Sequence, residues 1–294
     1  MLLLTGATGL VGSALLPRLT ARGIPVRCLV RDPRRLGAER VRVQIALGDL
    51  GDPQSFRNAL RGVTTVVHLA ATARDQGDGS IEELDAIATW RMVEAAERAH
   101  VERFVLFSIL GATAHDRTRL LRAKALAEDA VTRSETLQTT VIAASLIYGP
   151  SSAWLGQLER AARLPFVPIS GRGAALMQPI WAEDVADCVI AALDRGQDTM
   201  TERIELAGPQ TLSVAEIVRL GLHSRDRDRP LLPVPARVVR NVLRAVERVV
   251  GARAPVTWDE LEVLEVSLTS GRGTRDAERL GVAPRRMAEV LGVA

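Results

Sequence analysis

Met1-Leu-Leu-Leu-Thr-Gly-Ala-Thr-Gly-Leu-Val-Gly12 opens the chain, and its reading decides the fold. A short apolar run, Leu2 to Thr5, ends in three glycines, Gly6, Gly9 and Gly12, and passes straight into a helical pattern from Ser13 to Ala21. A strand-to-helix turn without Cβ atoms lets a diphosphate approach the backbone, where the unpaired N–H groups of the helix start meet its negative charge. On this reading Gly6 makes the tight turn, Gly9 permits the close approach and Gly12 packs the helix on the strand. Thr8, Leu10 and Val11 lie between them as further contacts. The spacing is Gly-x-x-Gly-x-x-Gly, and a glycine triplet alone matches by chance. Its context gives it weight: a turn at Arg22-Gly23 and a second apolar strand, Val26 to Val30, complete one βαβ unit.

Outward from this unit, strand-like runs recur at 41–46, 65–69, 103–108 and 139–144 with helical patterns between them. Strands buried on both faces and alternating with helices predict an α/β fold with a doubly wound parallel sheet. Ligands of such sheets lie beyond the carboxyl ends of the strands. After Tyr148-Gly-Pro150 the rhythm loosens into loops from Leu164 to Pro179, then a helix at 185–193 and a strand at 203–207 return to the sheet. Residues 1–150 with 180–207 are therefore expected to form the dinucleotide-binding domain, and 151–179 with 208–294 a smaller, mainly helical substrate lobe. Arg225-Asp-Arg-Asp-Arg-Pro230 reads as a solvated loop.

The 294 residues suffice for one large domain with a lobe. A 47% apolar and 25% charged composition excludes disordered and fibrous classes, and a net charge of +3 with dispersed arginines gives no reason to expect nucleic-acid binding. Cys28 and Cys188 sit in apolar segments without metal-ligand spacing, which predicts a reducing, cytoplasmic setting and no metal site. Met1 leads directly into the first strand, so no signal peptide is expected, and no apolar run reaches the length of a membrane span.

Several landmarks in order make residues 1–210 resemble a short-chain dehydrogenase/reductase of the extended or atypical kind, the superfamily of nucleotide-sugar epimerases and isoflavone-type reductases. Thr5-Gly-Ala-Thr-Gly-Leu-Val-Gly12 matches the family's glycine motif. Gly48-Asp49-Leu50 stands where family members place an Asp that accepts from the adenine amino group, and Asp52-Pro53 beside it reads as a helix start. Val66-Val-His-Leu-Ala70-Ala71 resembles the loop along the cofactor's ribose and diphosphate. The second strand ends Val30-Arg31-Asp32; the resemblance implies that Arg31 contacts a 2′-phosphate and so favours NADP(H), while Asp32 keeps NAD(H) open.

Lys124 is the only lysine among 38 basic side chains. Its survival in an arginine-biased chain points to a place that needs a compact ammonium. It matches the lysine of the family's Tyr-x-x-x-Lys motif, which binds the nicotinamide ribose. The tyrosine is absent: Leu120 stands one helical turn earlier and has no proton to give. Ser108 aligns with the start of the family's serine cluster, but Ile109 and Leu110 follow where the catalytic member comes. Tyr148, the sole tyrosine, belongs to Ser145-Leu-Ile147-Tyr-Gly-Pro150, which resembles the loop beside the nicotinamide and reads as a packing residue. Glu183 and Asp184 read as helix-capping residues, and His68 or His115 as candidate acids without a visible partner. Trp154, Phe166, Trp181 and Trp258 are candidates to line a substrate cleft.

Glycines and lysine retained with the tyrosine lost most resembles the atypical group that includes the nucleotide-binding accessory subunit of respiratory complex I. The resemblance implies an NADP(H)-binding oxidoreductase acting on a small carbonyl or enone. A non-catalytic scaffold or redox sensor is the alternative, and an epimerase using bound NAD a third. A homodimer through helices of the main domain would fit the family.

Overall fold

The computed structural model describes residues 1–293 apart from 78, 151, 196–199 and 252–253. In β1 (Leu2–Thr5), Leu2 and Leu4 enter the core on one face and Leu3 the core on the other, the alternation expected of a strand covered on both sides. The main domain continues through α1 (Leu10–Ala21), β2 (Val26–Val30), β3 (Gln44–Leu47), α2 (Pro53–Arg57) and β4 (Thr65–His68). It is completed by α3 (Ala88–Arg98), β5 (Arg103–Ile109), α4 (Arg119–Thr132) and β6 (Gln138–Ala144). The chain then leaves the sheet through β7 (Ile147–Tyr148), α5 (Ala153–Ala161), β8 (Val167–Ser170), β9 (Leu176–Met177) and β10 (Ile180–Trp181). It comes back in α6 (Ala182–Asp194) and β11 (Thr201–Leu206). The remainder is β12 (Leu212–Ser213), α7 (Val214–His223), β13 (Leu231–Val234), α8 (Ala236–Val250), α9 (Trp258–Glu262), α10 (Arg275–Arg279) and α11 (Met287–Leu291).

Seven strands form one parallel sheet in the order β11-β6-β5-β4-β1-β2-β3. Helices α1 and α6 cover one face; α2, α3 and α4 cover the other. This is the doubly wound fold expected, and its strand order reverses between β1 and β4, where such sheets open a crevice. The C-terminal lobe is mainly helical, with three short strand pairs, β7/β10, β8/β13 and β9/β12. Its core, around Tyr148, Met177 and Leu268, is continuous with Leu121 and Ala123 of α4.

Some expectations shift. The third strand begins at Gln44, not Val41, because Asp32 caps Pro33–Val41 into 3-10 turns that leave Val41 exposed. The expected loops at 164–179 contain β8 and β9. Glu183 and Asp184 do open α6, but neither caps it: Glu183 binds Arg18, and Asp184 takes the Arg285 side chain and backbone N–H. A guanidinium in reach is a stronger partner for a carboxylate than a helix-end amide.

Candidate functional site

At the carboxyl ends of β1 to β4 lies a cavity of about 240 Å³. Its wall is largely backbone: Gly6, Thr8 and Gly9 after β1, Gly48, Asp49 and Leu50 after β3, Ala70 and Ala71 after β4. Gly6 has φ +71°, and a Cβ there would stand 2.6 Å from the Ala70 nitrogen. At Gly12 a Cβ would stand 2.1 Å from the Gly6 carbonyl oxygen, so that glycine closes helix on turn. Helix α1 starts without a side-chain cap or an acidic residue in its first turn. The N–H groups of Leu10, Val11 and Gly12 therefore have no intrahelical acceptor and point toward the turn. A backbone cradle that any Cβ would fill, at an uncapped helix N-terminus, fits a dinucleotide diphosphate.

The rim carries charge. Arg31 and Arg35 line the cavity after β2. The Arg31 guanidinium donates to the Gln76 side-chain oxygen at 3.0 Å and stands 3.8 Å from the Asp49 carboxylate. Asp49 in turn accepts from the Gly51 N–H at 2.7 Å. Asp32 is turned to another duty: it accepts from the backbone N–H and the guanidinium of Arg34, each at 3.0 Å, and is held below the usual carboxylate range by those bonds.

A second cavity of about 310 Å³ shares Ala71 and Thr72 with the first and is lined by Ser108, Leu120, Lys124 and Ile147. Leu120 and Lys124 thus face one space, and the side chain one helical turn before the lysine is apolar. The opposite wall is Val263, Leu264 and Leu268. None of the four aromatics proposed for the cleft lines either cavity: Trp181 packs on Tyr148 at 5.2 Å, Trp258 is buried elsewhere, Trp154 packs into the lobe core and Phe166 faces solvent. Large rings are drawn to the lobe's own core by the area they bury.

Lys124 is 5% exposed and donates to Asp85 at 3.0 Å and to the Phe107 carbonyl at 3.1 Å. No motif or periodicity marks Asp85, which sits fully buried in a π-helical stretch, Glu82–Ile87, leading into α3. Such stretches are frequent at functional sites. Its second carboxylate oxygen has no partner. Burial pushes the Asp85 carboxyl up, against the pull of the Lys124 charge. Two of the three ammonium donors are satisfied, leaving one for a ligand in the cavity. Ser108 lines the cavity, yet its hydroxyl donates to Glu128 at 2.5 Å, so its proton is committed away from any substrate. Tyr148 is fully buried, its hydroxyl unpartnered and pushed up by burial, which makes it a packing residue.

His68 is not a catalyst without a partner. Its Nδ1 lies 2.9 Å from Thr5 Oγ1 and its Nε2 3.2 Å from Thr89 Oγ1. Thr89 gives its one proton to the Asp85 carbonyl at 2.5 Å, so Nε2 must carry the hydrogen and Nδ1 accepts from Thr5. Thr5 Oγ1 accepts from the Ala70 N–H at 3.3 Å, tying this buried chain to the loop after β4. Burial, and then the Lys124 charge, push the imidazole down to about 3, so it is neutral. His115 is exposed, with no ring partner among the described residues. Both cysteine thiols are pushed up to about 12 by burial and are inert.

Fold and cleft together define a dinucleotide-binding protein of the Rossmann type. The NAD(P)H-binding family matches residues 6–196, and the chain belongs to it. Among relatives, it is 27% identical over 249 residues to the mitochondrial NADH dehydrogenase [ubiquinone] 1 alpha subcomplex subunit 9 of Arabidopsis thaliana, covering 78% of this chain and 60% of that protein. It is 30% identical over 190 residues to the ceramide reductase of Caulobacter vibrioides, covering 64% of this chain and 59% of that protein. The chain thus spans about three fifths of the length of these two relatives. A nucleoside-diphosphate-sugar epimerase from Staphylococcus aureus has the same fold, with a TM-score of 0.75, 16% identity and 99% coverage of both chains.

Proposed function

We propose that this protein is an NADP(H)-dependent reductase whose substrate is an apolar carbonyl or enone. Residues 1–150 and 180–207 form its cofactor domain, and 151–179 with 208–294 its substrate lobe. The observation that carries this reading is a pair of adjacent cavities with Ala71 and Thr72 in both walls: one over Gly6 and an apolar one with Lys124 in its wall. Gly6, Thr8, Gly9 and the first amides of α1 at Leu10, Val11 and Gly12 bind the diphosphate. Asp49 and Leu50 hold the adenine, Arg31 with Arg35 takes a 2′-phosphate, and Ala70 and Ala71 follow the ribose. Ser108, Lys124 and Ile147 flank the nicotinamide end.

The cofactor, when bound, supplies hydride, and this chain's residues orient and exclude water. Lys124, held by Asp85 and the Phe107 carbonyl, keeps one N–H toward the cavity, where it stabilises a developing oxyanion. Leu120, Val263 and Leu264 keep that space dry. With Leu120 at the tyrosine position, the proton comes from solvent after reduction. The ceramide reductase relative supports an apolar substrate.

A second reading, a dinucleotide-bound scaffold, is favoured by the missing tyrosine, the committed Ser108 and the likeness to a respiratory-complex subunit. Exposed Ile87 just before α3, Trp90 on α3 and Leu126 on α4 support a homodimer across those helices. NADPH oxidation is followed against long-chain ketones and enones: turnover that Lys124→Met lowers supports the reductase, and tight binding with no turnover on any of them establishes the scaffold.

A further inference from the structure

Helix α8 is the least covered long element of the molecule: 15 residues, ARVVRNVLRAVERVV, with none buried. Val239, Leu243 and Val246 are half-buried and form its inner side. Val238, Val242, Ala245 and Val249 recur at i, i+4, i+7 and i+11, one continuous stripe, and the three valines are 49%, 56% and 87% exposed. Arg237, Arg244 and Arg248 repeat the spacing one residue earlier, so a basic stripe runs beside the apolar one. Neither these arginines nor Arg240 has an ion-pair partner among the described residues. The helix's single acid, Glu247, is turned inward and accepts from the Trp258 N–H at 2.5 Å. The charge on the outer surface of α8 is therefore all positive, and the exposed Asn241, between Arg237 and Arg244 in the basic stripe, adds none.

We propose that α8 docks the protein on an anionic lipid surface, its valine stripe entering the acyl boundary and its arginines meeting lipid phosphates. An amphipathic helix with a cationic polar side lies in the interface plane in this way, and long arginine stems let the guanidinium reach the headgroups. Charge complementarity selects lipid over a second copy of this chain, since two such stripes facing each other would oppose arginine to arginine. Position adds to the argument. Trp258, bonded to α8, opens α9, and Val263 and Leu264 just beyond it wall the apolar cavity. Arg74–Glu260 and Arg119–Asp259 ion pairs hold α9 against the loop and helix at the mouth of that cavity. The docked helix thus brings an apolar cavity close to the lipid phase. The proposal stands whether or not the cleft turns over.

The test is co-sedimentation of the full chain with phosphatidylcholine vesicles, with and without phosphatidylglycerol. The protein is expected to partition onto the anionic vesicles only, and added salt should release it. The triple variant Arg237→Gln, Arg244→Gln, Arg248→Gln should lose about a hundredfold in partition, near a factor of five per arginine. Val238→Ser with Val242→Ser should weaken binding even at low salt. These side chains are exposed, so circular dichroism and NADPH titration should match the unaltered protein. Equal binding to both vesicles, binding to neither, or an unchanged triple variant would overturn the proposal. So would self-association in lipid-free buffer that these same variants abolish, which would assign the stripe to a second copy.

Discussion

The two cavities of the cleft are built on opposite principles. The floor of the first is backbone after β1 and β4, at Gly6, Gly9, Ala70 and Ala71, and its charged side chains, Arg31 and Arg35, stand at the rim. The second is made of side chains: leucines, isoleucines and Val263 around one lysine whose partner is buried out of reach of water. The first leaves no room for a Cβ at Gly6 or Gly12, whereas the second sets an apolar side chain, Leu120, one helical turn before its lysine. Backbone recognition constrains conformation, and side-chain recognition constrains identity, so chemistry is more easily lost from the second.

The largest effect that would break this contrast is expected at Gly6. Gly6→Ala forces a positive φ on a residue with a Cβ and drives that carbon into the Ala70 backbone, so nicotinamide-fluorescence titration should show no measurable NADPH binding. Near-normal affinity would mean that the turn is not the cradle. Next is the ion pair. Lys124→Met leaves Asp85 buried without its cation and should cost about 3–5 kcal/mol in urea unfolding, while Lys124→Met with Asp85→Leu should recover most of the loss. A double variant no better than the single would show that the pair is not an isolated unit.

His68 gives a pH signature at the seam of the two cavities. Its imidazole is held at about 3 in the folded protein, against about 6.5 unfolded. Between those values the unfolded chain binds the extra proton, so the stability His68 contributes is full above pH ~6.5 and falls as the pH drops toward ~3. Unfolding free energy against pH should therefore slope less in His68→Gln than in the unaltered protein over that window, and identical slopes would place the acid sensitivity elsewhere. The smallest effect concerns the rim: Arg31→Ala should lower the NADPH-to-NADH affinity ratio by about ten- to a hundredfold.

The first cavity was legible in the sequence because its requirements are local. Gly6, Gly9 and Gly12 with the following helix describe a turn that needs no knowledge of distant residues, and the unbroken apolar run Leu2–Leu4 already implies a strand covered on both faces. The second was legible only in what it lacked, through Leu120. Asp85 was invisible because its pairing with Lys124 spans 39 positions and lies on an irregular helical stretch that no periodicity marks. His68 seemed partnerless for the same reason, since Thr5 stands on a neighbouring strand and Thr89 on α3. The wall at Val263 and Leu264 and the uncovered side of α8 depend on how the lobe folds back, which a helical pattern after Thr211 does not state. A short strand boundary, Gln44 in place of Val41, moved because one Asp cap outweighed β-branched propensity.

The most direct measurement is a pair of equilibrium titrations, NADPH and NADH, on the unaltered protein and on Arg31→Ala, read by nicotinamide fluorescence. The account predicts that NADPH binds more tightly than NADH and that the preference collapses in the variant while NADH affinity stays within a few-fold. Equal affinities in the unaltered protein, or a preference untouched by the loss of Arg31, would contradict it.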